Sequence, residues 1–396
     1  MDADQEVNHR HWLQELDLAH FEATSPGMAY WLPRGMTVIR ALREYFLREH
    51  LRNGYQEIST PQLADVSVYE TSGHVPHYEE SMFFATAGDR RFGIKPSNCP
   101  CSMLLFASRP HSYRELPLRW FCEDVLHRNE LSGVLSGLFR VQSLRQDDTH
   151  IFVAPSQVEE EFGRVLEFAR GLYRLFGLEF ELRLGTAPRD HIGDDAEWRR
   201  STELLRCIVD QIAPGGYEVV EGEGAFYAPK LDILMRDGQG RPWQTGTLQI
   251  DQFMPQRFGC AYVNERGARE APVVIHRAIA GSFERFLGLL LEETRGWLPL
   301  FLAPVQVAVA PIAGRHVGAA RSAASRLREV GFRVEVGDGS ERLPAQIRAA
   351  AERRVPCVAV MGDREQASDT LAVRLGDEQR EMGVEALIAE LRRRLP

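Results

Sequence analysis

The stretch LDILMRDGQGRPWQTGTLQID, residues 231–251, decides the fold of the larger part of the chain. It holds two strand-like runs, LDILMRD and RPWQTGTLQID, which follow one another directly. Strands that succeed each other in this way favour an antiparallel sheet with helices packed on it. Long helices are predicted over residues 36–54 and 156–177. We therefore expect residues 1–303 to form one α+β domain.

A second domain is predicted from the segment WLPLFLAPVQVAVAPI, residues 297–312, where Pro299 and Pro304 precede an apolar strand. From there the chain alternates strand-like and helix-like runs, with helices expected over 315–330, 343–354 and 384–394. Such alternation is typical of a small α/β layer with a mixed, mostly parallel sheet. Residues 304–396 are expected to be this domain.

Composition indicates a soluble protein of two domains, since 396 residues with 44% hydrophobic content suffice for two cores. No run of 18 apolar residues occurs, and the first residues lack the pattern of a secretion signal, so a cytoplasmic location is expected. The six cysteines are scattered without a disulfide framework. A cysteine with a special role would therefore be a metal ligand or a nucleophile.

Charge argues against indiscriminate binding to nucleic acid, because the net charge is −9. Residues 304–396 carry a net +2 and the remainder −11, so a polyanion would be held by local arginine patches. Only two of the 47 basic residues, Lys95 and Lys230, are lysines. They are candidates for positions that need a compact ammonium group. Neither a P-loop nor a dinucleotide-binding fingerprint is present.

Cys99, His150 and His276 are a candidate metal set, because thiolate and imidazole are favoured zinc ligands. They lie 51 and 126 residues apart, which is unlike the paired spacing of a small structural zinc knuckle. Only a folded scaffold would bring them together, and three ligands would leave one coordination position open. Taken alone, the cysteine could equally be a buried hydrophobe and each histidine a hydrogen-bonded core residue.

Arginines occur beside reactive polar groups in two further segments. Arg128 with Glu130, and Arg285 after the Gly281-Ser282 pair, could form forks for phosphates or for the edge of a base. Each could also be a surface ion pair, and the residues alone leave both interpretations open.

Taken in order, several motifs resemble those of the threonyl-tRNA synthetases, a family of class II aminoacyl-tRNA synthetases. These motifs are HRNELSG (127–133), RQDDTHIF (145–152), EGEGAFYAPK (221–230), GTLQID (246–251) and HRAIAGSFERF (276–286). The resemblance runs from about Asn8 to the C-terminus. It implies a catalytic antiparallel sheet of six or seven strands with flanking helices, followed by an α/β anticodon-binding domain.

The resemblance implies ATP-dependent activation of threonine as its adenylate and transfer to the 3'-terminal ribose of threonine tRNA. It implies one Zn²⁺ per chain and Mg²⁺ with ATP. Pro61 matches the motif 1 proline of the dimer interface, so a homodimer is expected. No DNA or membrane partner is implied.

The family's functional residues can be carried over where this sequence matches its motifs. The metal ligands would be Cys99, His150 and His276. The expected amino-acid pocket comprises Gln146, Asp148, Tyr227, Gln249 and Ser282, in which Asp148 would accept the hydroxyl proton. ATP would be bound by Arg128, Glu130, Arg140 and Arg285. Catalytic roles fall on Arg128, Arg285, His74 and Lys230, and anticodon reading on Glu365 and Arg374.

Five positions depart from the family pattern, namely Cys101, Ser102, Arg145, Thr149 and Ala228. They motivate a second hypothesis, a specialised paralogue that resists an inhibitor or charges a threonine analogue. A third is a non-catalytic tRNA-binding regulator, which the retained arginines and metal positions oppose.

The chain also begins just before the catalytic region, without the N-terminal editing region of bacterial members. Serine lacks only a methyl group relative to threonine, a difference worth about 1–3 kcal/mol. Mischarging of the tRNA with serine is therefore expected.

Overall fold

The structure is a computed structural model that describes residues 8–396. These residues divide into two compact units. One contains Phe21–Ala29 and Glu44–Leu289, and the other contains the described residues through His20 together with Tyr30–Arg43 and Leu290–Pro396. The expected boundary at residues 303 and 304 lies inside the second unit, where N-terminal residues join the C-terminal part of the chain. His9, for example, bonds the Glu292 carboxylate through both its backbone N and its Nδ1 atom.

The first unit is built on an eight-stranded sheet. Its strands in chain order are Gln56–Glu57 (β1), Leu118–Cys122 (β2), Asp148–Val153 (β3), Glu181–Gly185 (β4), Tyr217–Val220 (β5), Lys230–Arg236 (β6), Pro242–Asp251 (β7) and Val273–Ala278 (β8). The spatial order is β5-β4-β6-β7-β8-β3-β2-β1. All neighbours are antiparallel except the two outermost pairs, β4 with β5 and β1 with β2. The predicted antiparallel sheet with helices is confirmed, with eight strands rather than six or seven.

Residues 8–293 also form helices, short turns and small sheets. The helices up to residue 293 are His9–Glu15 (α1), Pro33–Arg52 (α2), Val66–Ser72 (α3), His74–Tyr78 (α4), Cys99–Ala107 (α5), Val158–Leu175 (α6), Asp195–Ile212 (α7), Met254–Arg257 (α8) and Phe283–Glu293 (α9). Short 3₁₀ turns are Glu79–Ser81, Tyr113–Glu115, Ser132–Val134 and Pro155–Gln157. The small sheets comprise Ala19–Phe21 with Ala29–Trp31; Val125–His127 with Ser143–Arg145; Leu63–Asp65, Arg90–Ile94 and Phe83–Ala87; and His111–Ser112, Tyr262–Val263 and Arg269–Glu270.

Helix α6 shows why the predicted helices form. Phe162, Val165, Leu166, Ala169 and Leu172 recur at helical spacing and are all buried. This stripe covers one side of the sheet, where α6 contacts β8. Three glutamates in its first turn suit the positive end of the helix dipole. The local sequence and the packing therefore favour the same element.

The second unit carries a five-stranded sheet. Its strands are Val307–Pro311 (β9), Val334–Val336 (β10), Cys357–Met361 (β11), Leu371–Leu375 (β12) and Glu378–Met382 (β13), in the order β10-β9-β11-β12-β13. Its helices are Val317–Glu329 (α10), Leu343–Glu352 (α11), Asp363–Ser368 (α12) and Val384–Arg393 (α13), after the 3₁₀ turn Gly314–His316. Strand β9 pairs in parallel with β10 and β11, whereas the β11–β12 and β12–β13 pairs are antiparallel. The mixed sheet is confirmed, but parallel pairs do not predominate.

Among residues 8–396, no helix is both long enough and apolar enough to cross a membrane.

Candidate active site

One face of the eight-stranded sheet collects the metal-binding candidates. His150 on β3 lies directly opposite His276 on β8, which in turn lies opposite Gln249 on β7. Directly opposite residues of an antiparallel pair point to the same face, and so do residues two apart on one strand. Asp148 therefore shares this face with His150. Pairing register, which sequence spacing does not reveal, brings these side chains together.

Cys99 completes the metal set from the first turn of α5. Its sulfur and one ring nitrogen from each of His150 and His276 all lie within 4.8 Å of one another, and all three residues are buried. Both ring nitrogens of His150 are buried without a hydrogen-bond partner within residues 8–396, as is Nδ1 of His276. Buried polar atoms are normally bonded, so unpaired imidazole nitrogens beside a cysteine sulfur fit a metal-binding site. The donor set fits Zn²⁺ with an open position.

Asp251 supports this set from the end of β7. Its Oδ2 atom lies 2.8 Å from His276 Nε2, and its Oδ1 atom accepts hydrogen bonds from the backbone N–H groups of Phe253 and Met254 at 2.8 and 2.9 Å. A carboxylate on one ring nitrogen fixes the imidazole tautomer and leaves the other nitrogen as a ligand. His276 is therefore oriented to bind through Nδ1.

Electrostatics at the two histidines also suits a cation. Burial holds the pKa of His150 well below its usual value, so its imidazole is neutral and able to act as a ligand. Burial lowers the pKa of His276 too, but the neighbouring Cys99 sulfur and the Asp251 carboxylate outweigh this effect and raise the pKa to about 10. The surroundings of His276 thus favour positive charge, whether a proton or a metal ion supplies it.

An open cavity of about 240 Å³ extends from the metal set along the sheet. The predicted residues among those lining it are Cys99, Arg128, Glu130, Arg140, Gln146, Asp148, Tyr227, Gln249, His276, Ser282 and Arg285. These come from most of the motifs of the sequence analysis, so the structure brings most of the expected site together.

Four arginines line this cavity, and Arg128, Arg140 and Arg285 concentrate positive charge in it, whereas the fourth, Arg277, pairs with Asp147. The backbone N–H of Arg285 donates to Ser282 Oγ at 3.0 Å. The Nε atom of Arg285 donates to the Phe139 carbonyl at 2.7 Å. Burial, followed by repulsion from Arg128 and Arg140, lowers the pKa of Arg285 to about 10. Glu130 pairs with Arg140 at 3.1 Å. Guanidinium groups that repel one another in the same cavity suit a polyanion such as a triphosphate.

The turn before α9 requires glycine. Gly281 has φ +66°, and a Cβ atom there would lie 1.7 Å from the Thr245 carbonyl oxygen. Its N–H donates to Asp147 Oδ1 at 3.0 Å. The close approach and the left-handed backbone together set the position of Ser282 and Arg285.

The expected amino-acid residues lie beside the metal set. Asn98 Nδ2 donates to Asp148 Oδ2 at 2.9 Å, and Tyr227 donates its hydroxyl to Gln249 Oε1 at 2.6 Å. Burial raises the pKa of Asp148 to about 6, and the hydrogen bond from Asn98 opposes that rise. Gln146 is bridged to Ser282 by backbone pairing. The pocket thus offers an acceptor carboxylate next to a metal position.

His74 is buried at the start of α4 rather than on the surface. Its Nδ1 lies 2.8 Å from Ser72 Oγ and its Nε2 lies 3.0 Å from the hydroxyl of Ser97, which lines the cavity. Burial, followed by the charge of Arg128, lowers its pKa to about 3. The imidazole is neutral near pH 7, in the state that proton transfer would need.

Three predicted residues lie elsewhere. Lys230 pairs with Asp232 at 2.7 Å and is not among the residues that line the cavity. Glu365 accepts the backbone N–H of Gly362 at 3.0 Å and so caps α12, while the exposed Arg374 contacts the Gly376 carbonyl at 3.5 Å. Structural roles are therefore visible for Lys230 and Glu365, and their functional roles remain predictions.

None of the five side chains that depart from the family pattern lines the cavity. Thr149 is buried and donates to the Arg277 carbonyl at 3.2 Å, and the Arg145 guanidinium donates to the Glu123 carbonyl at 2.9 Å. Cys101 and Ser102 are buried in α5, and Ala228 is buried as well. Their positions outside the cavity lining therefore give no support to the hypothesis of a specialised paralogue with an altered pocket.

Sequence reasoning missed Asn98, Asp251 and Ser97. Asp251 lies two residues after Gln249 on β7, so period-two alternation could have shown that it shares the face of the site. Asn98 and Ser97 stand in the segment of Cys99, but no pattern in the sequence links them to Asp148 or His74.

Comparison with known proteins now adds the family. Residues 83–294 match the family model described as the tRNA synthetase class II core domain (G, H, P, S and T), and residues 306–394 match an anticodon binding domain. The first match alone covers more than half of the chain. The fold and the site thus define a class II tRNA synthetase core followed by an anticodon-binding domain.

Similar proteins identify the family of class II synthetases to which the chain belongs. The chain is 42% identical over 377 residues to a threonine–tRNA ligase of Desulfosudis oleivorans, and 44% identical over 371 residues to one of Thermotoga neapolitana. These alignments cover 95% and 93% of this chain but only 59% and 58% of the relatives, so the chain spans less than two thirds of their length. The crystal structure of the RNA binding domain of a threonyl-tRNA synthetase from Cryptosporidium parvum matches with a TM-score of 0.93 and 35% identity over 98% of both chains. The chain belongs to the threonyl-tRNA synthetase family.

Proposed function

We propose that the chain activates threonine with ATP and transfers it to the terminal ribose of threonine tRNA. The observation that carries this proposal is the convergence of Cys99, His150 and His276 beside Asp148, at a cavity that Arg128, Arg140 and Arg285 also line. A metal site next to a phosphate-binding site suits one small molecule with an amino group and a hydroxyl, and one nucleotide. Family membership supports the same reaction.

Cys99, His150 and His276 would hold the Zn²⁺ ion. When bound, the ion supplies an electrophilic open face that can take the amino and hydroxyl groups of threonine. Asp148 would accept the hydrogen of the substrate hydroxyl, while Gln249 and Tyr227 border the same pocket. Valine has no hydroxyl for Asp148, so a site built to bond that group rejects it strongly.

Arg128 and Arg285 would bind phosphate oxygens of ATP, which enters with Mg²⁺. The threonine carboxylate attacks the α-phosphorus, and pyrophosphate leaves. Because the arginines are already fixed by backbone carbonyls, they can neutralise the charge that develops without reorganising. Glu130 and Arg140, which form an ion pair at the cavity, would contact the nucleotide.

In the transfer step the ribose hydroxyl attacks the carbonyl carbon of threonyl-adenylate, and AMP leaves. The neutral imidazole of His74 would accept or relay the hydroxyl proton, and its bond to Ser97 gives it a contact with the cavity lining. Lys230 forms an ion pair with Asp232 on strand β6, which borders the site. Its role in the reaction would therefore be indirect, by positioning that strand.

The remaining parts of the proposal concern partners. Glu365 and Arg374 would read splayed anticodon bases through hydrogen bonds and stacking. Pro61 is exposed, as a proline at a dimer interface of a single chain would be, and a homodimer is expected in solution. Light scattering during gel filtration would test this state, and a monomer at micromolar concentration would count against it.

Threonine-dependent exchange of pyrophosphate into ATP, followed by aminoacylation of threonine tRNA, tests the reaction. We expect threonine to support both, serine to support exchange more weakly, and valine to support exchange only very slowly. Serine keeps the amino and hydroxyl groups that the site would bind, so its rejection rests on a methyl group worth about 1–3 kcal/mol. Exchange that is absent, or equal with valine and threonine, would remove the proposal.

A further inference from the structure

An enclosed polar network lies behind the cavity, in the segment that links Arg90–Ile94 to α5. Lys95 and Asn98 are each 0% exposed. The Lys95 ammonium lies within hydrogen-bond distance of Asp124 Oδ2 at 2.7 Å, Thr60 Oγ1 at 2.7 Å, the Thr60 carbonyl at 3.1 Å and Asn98 Oδ1 at 3.1 Å, so its three N–H groups are shared among four acceptors. Four acceptors converge on one nitrogen atom. A compact ammonium fits this geometry, whereas a planar guanidinium would need a wider space.

Asn98 stands at the N-cap of α5 but does not cap the helix. Asparagine is among the best N-cap residues because its side-chain oxygen normally accepts a backbone N–H of the first turn. Here the side chain forms no such bond. Its Oδ1 accepts from Lys95, and its Nδ2 donates to Asp148 Oδ2 at 2.9 Å and to the Cys122 carbonyl at 3.4 Å. The Asn98 side chain therefore does not stabilise the start of α5. It instead connects Lys95 to Asp148 in the candidate site.

The orientation of the Asn98 amide follows from Lys95. An ammonium group can only donate, so the amide oxygen must face Lys95 and the NH₂ group must face Asp148. One oxygen of Asp148 is thereby bonded. No hydrogen bond to its other oxygen, Oδ1, forms within residues 8–396, and Asp148 lines the cavity. The network thus leaves one carboxylate oxygen for a ligand.

We propose that Lys95 and Asn98 are positioning residues for amino-acid specificity. Lys95 fixes the amide of Asn98, and Asn98 holds Asp148 so that its unbonded oxygen accepts the hydrogen of the substrate hydroxyl. This inference rests on the proposed function, because it specifies how the same pocket distinguishes an amino acid with a side-chain hydroxyl from one without it. Neither residue touches the substrate.

Asn98→Asp separates this role from structural support. The substituted side chain has the same shape and keeps an acceptor for Lys95, but it has no N–H for Asp148 and places a second carboxylate against it. Loss of a hydrogen bond to a buried carboxylate predicts that kcat/KM for threonine and for serine falls about 10- to 100-fold in pyrophosphate exchange. The slow reaction with valine and the KM for ATP should stay unchanged, because neither uses Asp148.

A second variant and a control complete the design. Asn98→Ala also lacks the donor and should give the same loss for threonine and serine, with weaker threonine binding in calorimetry. Asn53→Asp is the control, since it makes the same chemical change at an exposed amide that donates to the Glu49 carbonyl at 2.8 Å. It should leave every rate at the value of the unaltered chain.

Two results would overturn the inference alone. In the first, the unaltered chain shows normal threonine exchange, and the Asn98→Asp variant has the same ratio of threonine to valine activity as the unaltered chain. In the second, threonine, serine, valine and ATP kinetics all decline together in the variant, as general damage to the fold would cause. Absence of threonine exchange in the unaltered chain would instead overturn the proposed function, and the inference with it.

Discussion

The replacement of Asp251 by asparagine tests whether the imidazole of His276 is set for a metal. Asp251 is fully buried, and its Oδ2 lies 2.8 Å from His276 Nε2. In Asp251→Asn the side-chain oxygen can still accept the N–H groups of Phe253 and Met254, which places the new NH₂ group against His276. Nε2 would then have to accept a hydrogen bond, which moves the ring proton to Nδ1, the nitrogen expected to bind the metal.

The magnitude follows from this single contact. Loss of a carboxylate behind a ligating histidine lowers metal affinity by about 10- to 100-fold. That range corresponds to about 1.4–2.8 kcal/mol, which agrees with the worth of a buried hydrogen bond to a charged group. The folded chain should remain intact, because the backbone contacts of residue 251 are kept.

Competition with a chromophoric zinc chelator measures the affinity directly. Asp237→Asn is the matched control, since Asp237 is also buried and accepts backbone N–H groups, from Gln239 at 3.0 Å and Arg241 at 2.9 Å, but it does not belong to the metal set. We expect weaker zinc binding in Asp251→Asn and unchanged binding in Asp237→Asn. Equal zinc affinity in all three proteins would refute the role of Asp251.

Three further predictions concern stability and geometry. Lys95→Met should lower the free energy of unfolding by about 3–5 kcal/mol, because the Asp124 carboxylate loses its cationic partner and keeps only neutral donors; urea titration measures this, and the added change Asp124→Asn should restore part of it. Burial raises the pKa of Glu284 to about 7, so the folded state holds a proton that the unfolded state has lost above its ordinary pKa near 4.5. The stability that this group contributes is lost as pH rises from about 4.5 to about 7, and the free energy of unfolding falls by at most about 1.4 kcal/mol per pH unit. Glu284→Gln should abolish this pH dependence. The same dependence in the variant and the unaltered chain would contradict the prediction. Gly281→Ala should reduce threonine exchange by at least about tenfold, because strain at φ +66° and the clash with Thr245 displace the following residues; unchanged exchange would count against that geometry.

Residue chemistry made part of the site predictable. Cys99, His150 and His276 could be chosen because few side chains suit zinc, and their spacing excluded a local knuckle. The pairing of His150 with His276 was not predictable from periodicity, because register depends on contacts between strands that are distant in sequence. Asn98 was hidden for another reason. An asparagine before a helix is explained by capping alone, so its actual contact with Asp148 left no separate signal.

The fold, like the site, was only partly predictable from the sequence. Long amphipathic runs such as α2 and α6 were predicted to within a few residues at each end. The short helix α12 and the strand β13 were not, since both are brief and largely exposed and carry no hydrophobic stripe. Edge elements of this kind are fixed by pairing with a neighbour, here the pairing of β13 with β12.

Zinc content measured by plasma mass spectrometry, in parallel for the unaltered chain and for His150→Ala, tests the central claim most directly. We expect about one zinc ion per chain in the unaltered protein. We expect loss of that zinc, together with threonine-dependent exchange, in His150→Ala. Full zinc content in His150→Ala, or threonine exchange by a zinc-free chain, would contradict the claim that these three distant residues bind one ion that selects the substrate.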